Sequence, residues 1–149
     1  MKRKFWLILI FLSILLAACS GETAQQASST GPVTVTGQKV AVAGGSYTDV
    51  SVNELQSMLA NKNFVFVNVH IPFEGDIANT DLSIPYDVID QHLEQLPANK
   101  DAKIVLYCRS GRMSSIAAET LVSLGYTDVY NLKGGMVAWE QAGLPIEGR

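Results

Sequence analysis

Ile104-Val105-Leu106-Tyr107-Cys108-Arg109-Ser110-Gly111-Arg112-Met113-Ser114-Ser115 reads as a buried strand ending on a cysteine, a short loop, and the start of a helix. The apolar, β-branched run from Lys103 to Tyr107 is the pattern of a strand covered on both faces. The helix is expected from Met113 to Leu124, with Gly125 just past its end as the C′ residue. In open α/β sheets, ligands bind outside the carboxyl ends of strands, where Cys108 falls. Backbone N–H groups of such a loop, together with the helix N-terminus, favour an anion, a thiolate among them. Arg109 and Arg112 add two cations within five residues of an acidic chain.

The segments on either side extend the same alternation. Ser51-Val52-Asn53-Glu54 is a capping box opening a helix that buries Leu55, Met58 and Leu59. Phe64–Val69 reads as a second buried strand. An irregular stretch from Ile71 to Tyr86 follows, and Asp87 is expected to cap a short helix ending before Pro97. Val129–Leu132 is a third strand. Gly134-Gly135 then turns into a last helix running through Ala142 and closed by Gly143 and Pro145. Strands alternating with helices imply an α/β domain in three layers, a central parallel sheet flanked by helices.

The chain has 149 residues, which fits one domain plus targeting sequence. Lys2-Arg3-Lys4 and the twelve-residue stretch Phe5–Leu16, apolar except Ser13, read as a signal peptide. That stretch is shorter than the roughly 20 residues a membrane span needs. Leu16-Ala17-Ala18-Cys19 looks like a bacterial lipobox, which implies cleavage before Cys19 and acylation of that cysteine. The expected organisation is signal peptide 1–18, lipid-anchored flexible linker 19–46 and folded domain 47–149. Residues 20–46 are rich in Ser, Thr, Gly, Gln and Ala, too polar to build a core; within them Val33–Val35 and Val40–Val42 are candidate short strands. The domain would then sit in the bacterial cell envelope, outside the cytoplasm, held to a membrane through its lipid.

Without Lys2, Arg3 and Lys4 the 11 basic residues fall to 8 against 14 acidic ones, leaving a net charge near −6. Nucleic-acid binding requires a basic field and is disfavoured. Of the two cysteines, acylation of Cys19 would leave Cys108 as the single thiol of the mature chain, so no internal disulfide forms. A lone exported thiol in a cationic loop is a reactive-cysteine pattern. One histidine in the domain core segment and one cysteine make a poor metal set, and neither metal nor organic cofactor is expected.

Two segments together resemble the single-domain rhodanese (thiosulfate sulfurtransferase) family. Tyr107-Cys108-Arg109-Ser110-Gly111-Arg112-Met113-Ser114 is similar to its active-site loop. Gly125-Tyr126-Thr127-Asp128-Val129-Tyr130-Asn131-Leu132-Lys133-Gly134-Gly135-Met136, followed by Ala138-Trp139 and Ala142-Gly143-Leu144-Pro145, is similar to its C-terminal stretch. The resemblance covers roughly Tyr47 to Ile146. It implies that Cys108 is a nucleophile that takes sulfur from a small anionic donor such as thiosulfate. The persulfide would be held by Arg109, Ser110, Gly111, Arg112 and Met113, then passed to a thiol or cyanide. The family's usual Asp-Val-Arg is here Asn68-Val69-His70, and its Gly-His-Ile-Pro-Gly-Ala gives way to an acidic stretch with Glu74, Asp76 and Asp81. Those departures bear on substrate identity, and the acidic stretch is expected to draw Arg112 into an ion pair. His70 is expected to hydrogen-bond backbone at a strand end, Trp139 to pack the last helix on the sheet, and His92 to sit on a solvated face. Two alternatives stay open: a persulfide carrier or sensor without turnover, and phosphatase-like chemistry. The latter needs an arginine six residues after the cysteine, where this chain has Ser114.

Overall fold

The computed structural model describes residues 35–149, so the signal-peptide, lipobox and Cys19 readings lie outside the described residues. Six strands form one sheet in the order β1-β2-β6-β5-β3-β4. They are β1 (Gln38–Val42), β2 (Gly45–Val50), β3 (Val65–Asn68), β4 (Leu82–Ser83), β5 (Ile104–Tyr107) and β6 (Val129–Leu132). From β2 onward every pairing is parallel. β1 pairs β2 antiparallel through a tight turn at Ala43-Gly44, with Gly44 at φ +90°. The three-layer α/β class stands, but the sheet is mixed rather than wholly parallel. The linker reading ends too late, because ordered strand begins at Gln38, ahead of Tyr47. Val40–Val42 lies in β1 as expected, whereas Val35 is not in a strand.

Helices α1 (Val52–Ala60) and α3 (Gly135–Gln141) cover one face, and α2 (Arg112–Ser123) covers the other. The alternation along β5 shows how one strand feeds two cores. Ile104 and Leu106 pack with Ala117, Leu121 and Val122 of α2, whereas Val105 and Tyr107 pack with Leu55, Met136 and Trp139. All four β5 residues are buried, consistent with a parallel strand covered on both sides. The expected helix after Asp87 is instead two 3₁₀ turns, Ile89–Gln91 and Leu93–Gln95. The backbone leaves helical geometry at His92 (φ −123°, ψ 30°), and the turns still bury Ile89 and pack Leu93 on the α2-side core. No side-chain cap starts either turn.

The capping box is present in full. Ser51 Oγ accepts from Glu54 N, and the Glu54 carboxylate accepts from Ser51 N at 2.9 Å. The same carboxylate also accepts from Gly37 N at 2.8 Å and Thr36 N at 3.1 Å, tying the approach to β1 onto α1. These backbone donors hold the Glu54 carboxyl at about 2, below its ordinary value of 4.5. A depressed carboxyl stabilises the fold above its unfolded value, and that contribution is lost as pH falls through about 2. Glu54→Gln is therefore expected to lower stability by about 1 kcal/mol at neutral pH, as loss of a cap does. It should also flatten the acid limb of a urea-midpoint titration between pH 4.5 and 2.

Candidate active site

Cys108 follows β5 directly and is only 1% exposed. Four residues later α2 begins, with Gly111 as its N-cap at φ +90°. The left-handed backbone suits glycine, and a Cβ there would come within 3.1 Å of Gly134 N. This turn brings Gly111 N–H to 3.1 Å from Cys108 Sγ, donating to it. Ser114 Oγ, fully buried in the first turn of α2, lies 3.4 Å from Sγ and 3.2 Å from Gly111 O. The sulfur thus sits at a helix N-terminus facing the Gly111 N–H, with the one Ser114 hydroxyl proton able to turn to it or to Gly111 O, a setting that stabilises an anion. Sequence reasoning placed Gly111 in the site and left Ser114 out, because a serine inside a helix carries no signal of facing a sulfur.

A second helix start grips the same loop from below. Met136 N donates to Cys108 O and Val137 N to Arg109 O, each at 2.9 Å. The close approach depends on Gly135, whose missing Cβ would lie 2.2 Å from Cys108 O. The Gly134-Gly135 pair, read from sequence as a turn into the last helix, therefore also fixes the cysteine backbone.

Ser114→Ala removes one donor to sulfur while Gly111 O keeps its bond from Ser115 N at 3.1 Å. Hydrogen bonds to charged groups contribute roughly 1.5 kcal/mol or more, so alkylation of Cys108 by iodoacetamide at neutral pH should slow about tenfold. The thermal midpoint should stay close to that of the native chain.

The two loop arginines differ. Arg109 Nη1 donates to both carboxylate oxygens of Glu74 at 2.8 Å. Arg112, the first residue of α2, is exposed and makes no ion pair among the described residues. The acidic stretch thus engages Arg109, not Arg112 as expected. The reason is local. Asn68 Nδ2 donates to Gly75 O at 3.0 Å and to Asp76 Oδ1 at 2.8 Å, folding segment 70–76 back over the end of β3 beside β5. That places Glu74 within reach of the first loop residue. Asp76 also accepts from the Tyr107 phenol at 3.0 Å and bridges its backbone to Glu147. Burial pushes the Tyr107 hydroxyl well up, so it stays a neutral donor to Asp76. Asp81 is spent elsewhere, on Lys62 Nζ and Phe66 N.

His70 does not bond backbone through its ring. Nδ1 lies 3.4 Å from Met113 Sδ, and Nε2 is buried without a hydrogen bond, 3.6 Å from Glu74 Oε2. Met113 therefore meets His70, and Ser110 is exposed beside the loop. Trp139 is buried and donates to Pro145 O at 3.0 Å, packing α3 on the sheet. The His92 side chain is 41% exposed. Beside Arg109 a hollow of about 490 Å³ is lined by Phe73, Glu74, Arg109, Glu140 and Arg149.

Residues 51–142 match the Rhodanese-like domain family. A sulfurtransferase of Allochromatium vinosum is 35% identical over 102 residues, covering 66% of this chain and 92% of that protein. The thiosulfate sulfurtransferase GlpE of Vibrio cholerae is 31% identical over 103 residues, covering 68% and 95%. The crystal structure of a rhodanese-like domain protein from Staphylococcus aureus superposes with a TM-score of 0.56 at 33% identity, covering 67% and 98%.

Proposed function

The chain belongs to the rhodanese-like family, and from that premise we propose that it transfers sulfane sulfur through a persulfide on Cys108. The observation that carries this reading is Cys108 Sγ, buried at the start of α2 and facing the Gly111 N–H at 3.1 Å. The Cys108 thiolate attacks the outer sulfur of a donor such as thiosulfate. A new S–S bond forms, the donor S–S bond breaks, and sulfite leaves with the bonding pair. The terminal persulfide sulfur carries the negative charge, held by backbone N–H groups of the Arg109–Met113 loop and the α2 N-terminus, while the Gly111 N–H and Ser114 hydroxyl face the inner sulfur. Cyanide or a thiol then takes the outer sulfur and restores the thiolate. Arg112, which makes no ion pair among the described residues, orients an anionic donor.

A phosphatase-like site would have its anion-clamping arginine where Ser114 stands. Here Ser114 is buried against the sulfur, which favours sulfur transfer. We also propose that Cys19 carries lipid and holds the domain at a bacterial membrane, on the strength of Leu16-Ala17-Ala18-Cys19.

One experiment reads both proposals. The full chain is isolated from bacterial membranes, incubated with thiosulfate and weighed intact. The expected mass lacks residues 1–18, includes acyl groups at Cys19, and gains one sulfur atom that cyanide removes. Steady-state rates should then follow ping-pong kinetics. A chain that gains no sulfur from thiosulfate or polysulfide overturns sulfur transfer. A chain that retains residues 1–18 and lacks lipid overturns anchoring. Loading once without multiple turnover would instead identify a carrier.

A further inference from the structure

The Glu74–Arg109 pair changes what the loop can hold. Two arginines beside a cysteine would suit a dianion, yet one of them, Arg109, is already neutralised by a carboxylate whose two oxygens both accept from its Nη1. Glu74 is 31% exposed and Arg109 56%, so both are also open to an incoming ligand. The adjoining hollow repeats the arrangement. Arg149 pairs with Glu140 there and donates to Glu74 O at 3.0 Å, leaving two cations and two carboxylates with no net charge. The Phe73 ring, 54% exposed, adds an apolar wall. The hollow, about 490 Å³ and open to solvent, has room for more than a three-oxygen sulfonate.

We propose that Glu74 sets the donor class of the Cys108 site, disfavouring dianionic thiosulfate and selecting an organic persulfide whose carbon-bearing half occupies the hollow beside Arg109. The proposal rests on the sulfur-transfer reading and refines it. The step balances as Cys108–S⁻ with R–S–SH giving Cys108–S–S⁻ and R–SH. The outer sulfur bonds to Sγ, the donor's S–S bond breaks, and the inner sulfur leaves and takes the proton. Paired charges in the hollow match a zwitterionic R group, with the guanidinium groups meeting carboxylates and Glu140 meeting an ammonium. Phe73 covers the carbon chain.

The test is the second-order rate of sulfur loading on Cys108 in the full chain, followed by intact mass in a single turnover. Glutathione persulfide and thiosulfate are the two donors. The native chain should load faster from the persulfide. Removing a nearby carboxylate charge at a part-exposed site is worth about tenfold for a dianion. Glu74→Gln should thus raise the thiosulfate rate about tenfold and change the persulfide rate by less than about threefold. Phe73 is exposed, so Phe73→Ala should fold normally and lower persulfide loading relative to thiosulfate by about fivefold. A donor ratio unmoved by Glu74→Gln overturns the role of Glu74, and one unmoved by Phe73→Ala overturns the hollow as donor subsite. Absence of loading from both donors in the native chain overturns sulfur transfer itself, a separate outcome.

Discussion

Cys108→Ser is expected to abolish sulfur loading, by at least about a thousandfold, while leaving the domain folded. A serine oxygen cannot form the persulfide, and its alcohol stays protonated where a thiolate would attack. The change is small in volume, and the hydroxyl can still accept from Gly111 N where Sγ does at 3.1 Å. The sulfur sits against apolar residues of the α2-side core, so exchanging it for a more polar oxygen should cost about 1 kcal/mol. The measurement is intact mass after thiosulfate or glutathione persulfide, beside a thermal unfolding curve for each chain. Because the chain holds two cysteines, a residual gain in the variant would place sulfur on a Cys19 free of lipid, shifting the nucleophile out of the β5–α2 loop and overturning the anchor as well. A folded, inert variant leaves Cys108 as the acceptor of sulfur.

What the sequence revealed and what it hid divide along the range of the interactions. The capping box at Ser51-Glu54 and the strands Ile104–Tyr107 and Val129–Leu132 are written in local pattern, and the structure has them where pattern puts them. The β1–β2 hairpin was harder to read. β1 alternates between exposed and half-buried residues, and Gly44, Gly45 and Ser46 look like linker composition. The 3₁₀ turns after Asp87 were missed because a break at His92 leaves no sequence punctuation. In the site, Cys108 and Gly111 could be found from the loop itself. The Glu74–Arg109 pair spans 35 positions, and no local rule chooses Arg109 over Arg112 as the partner. The choice follows from Asn68 folding the segment after β3 back on itself, a three-dimensional fact. His70 shows the same limit, since its sulfur neighbour Met113 lies 43 positions away.

Gly135→Ala should be the most damaging single methyl group in the domain, costing about 2–4 kcal/mol of stability. Gly135 adopts φ +56°, which alone would cost a non-glycine residue about 1 kcal/mol. The larger part is contact. The added Cβ would lie 2.2 Å from Cys108 O and 2.7 Å from Arg109 O, both backbone atoms with little freedom to move. Relief requires the start of α3 to withdraw from the loop. That stretches the bonds from Met136 N and Val137 N, now 2.9 Å, that fix the cysteine backbone. Activity and stability should therefore fall together, with sulfur loading slowed more than a hundredfold at temperatures where the chain remains folded. Gly125→Ala supplies the comparison. Gly125 also has positive φ, at +88°, yet nothing lies within 4 Å of its missing Cβ. That variant should show the conformational cost alone, about 1 kcal/mol in a urea titration, with loading unchanged. Equal losses in the two variants would mean that the α3 start yields freely and does not set the geometry of Cys108. A gap of at least about 1–3 kcal/mol, accompanied by the selective loss of loading in Gly135→Ala, would tie the glycine pair to the chemistry through two backbone carbonyls.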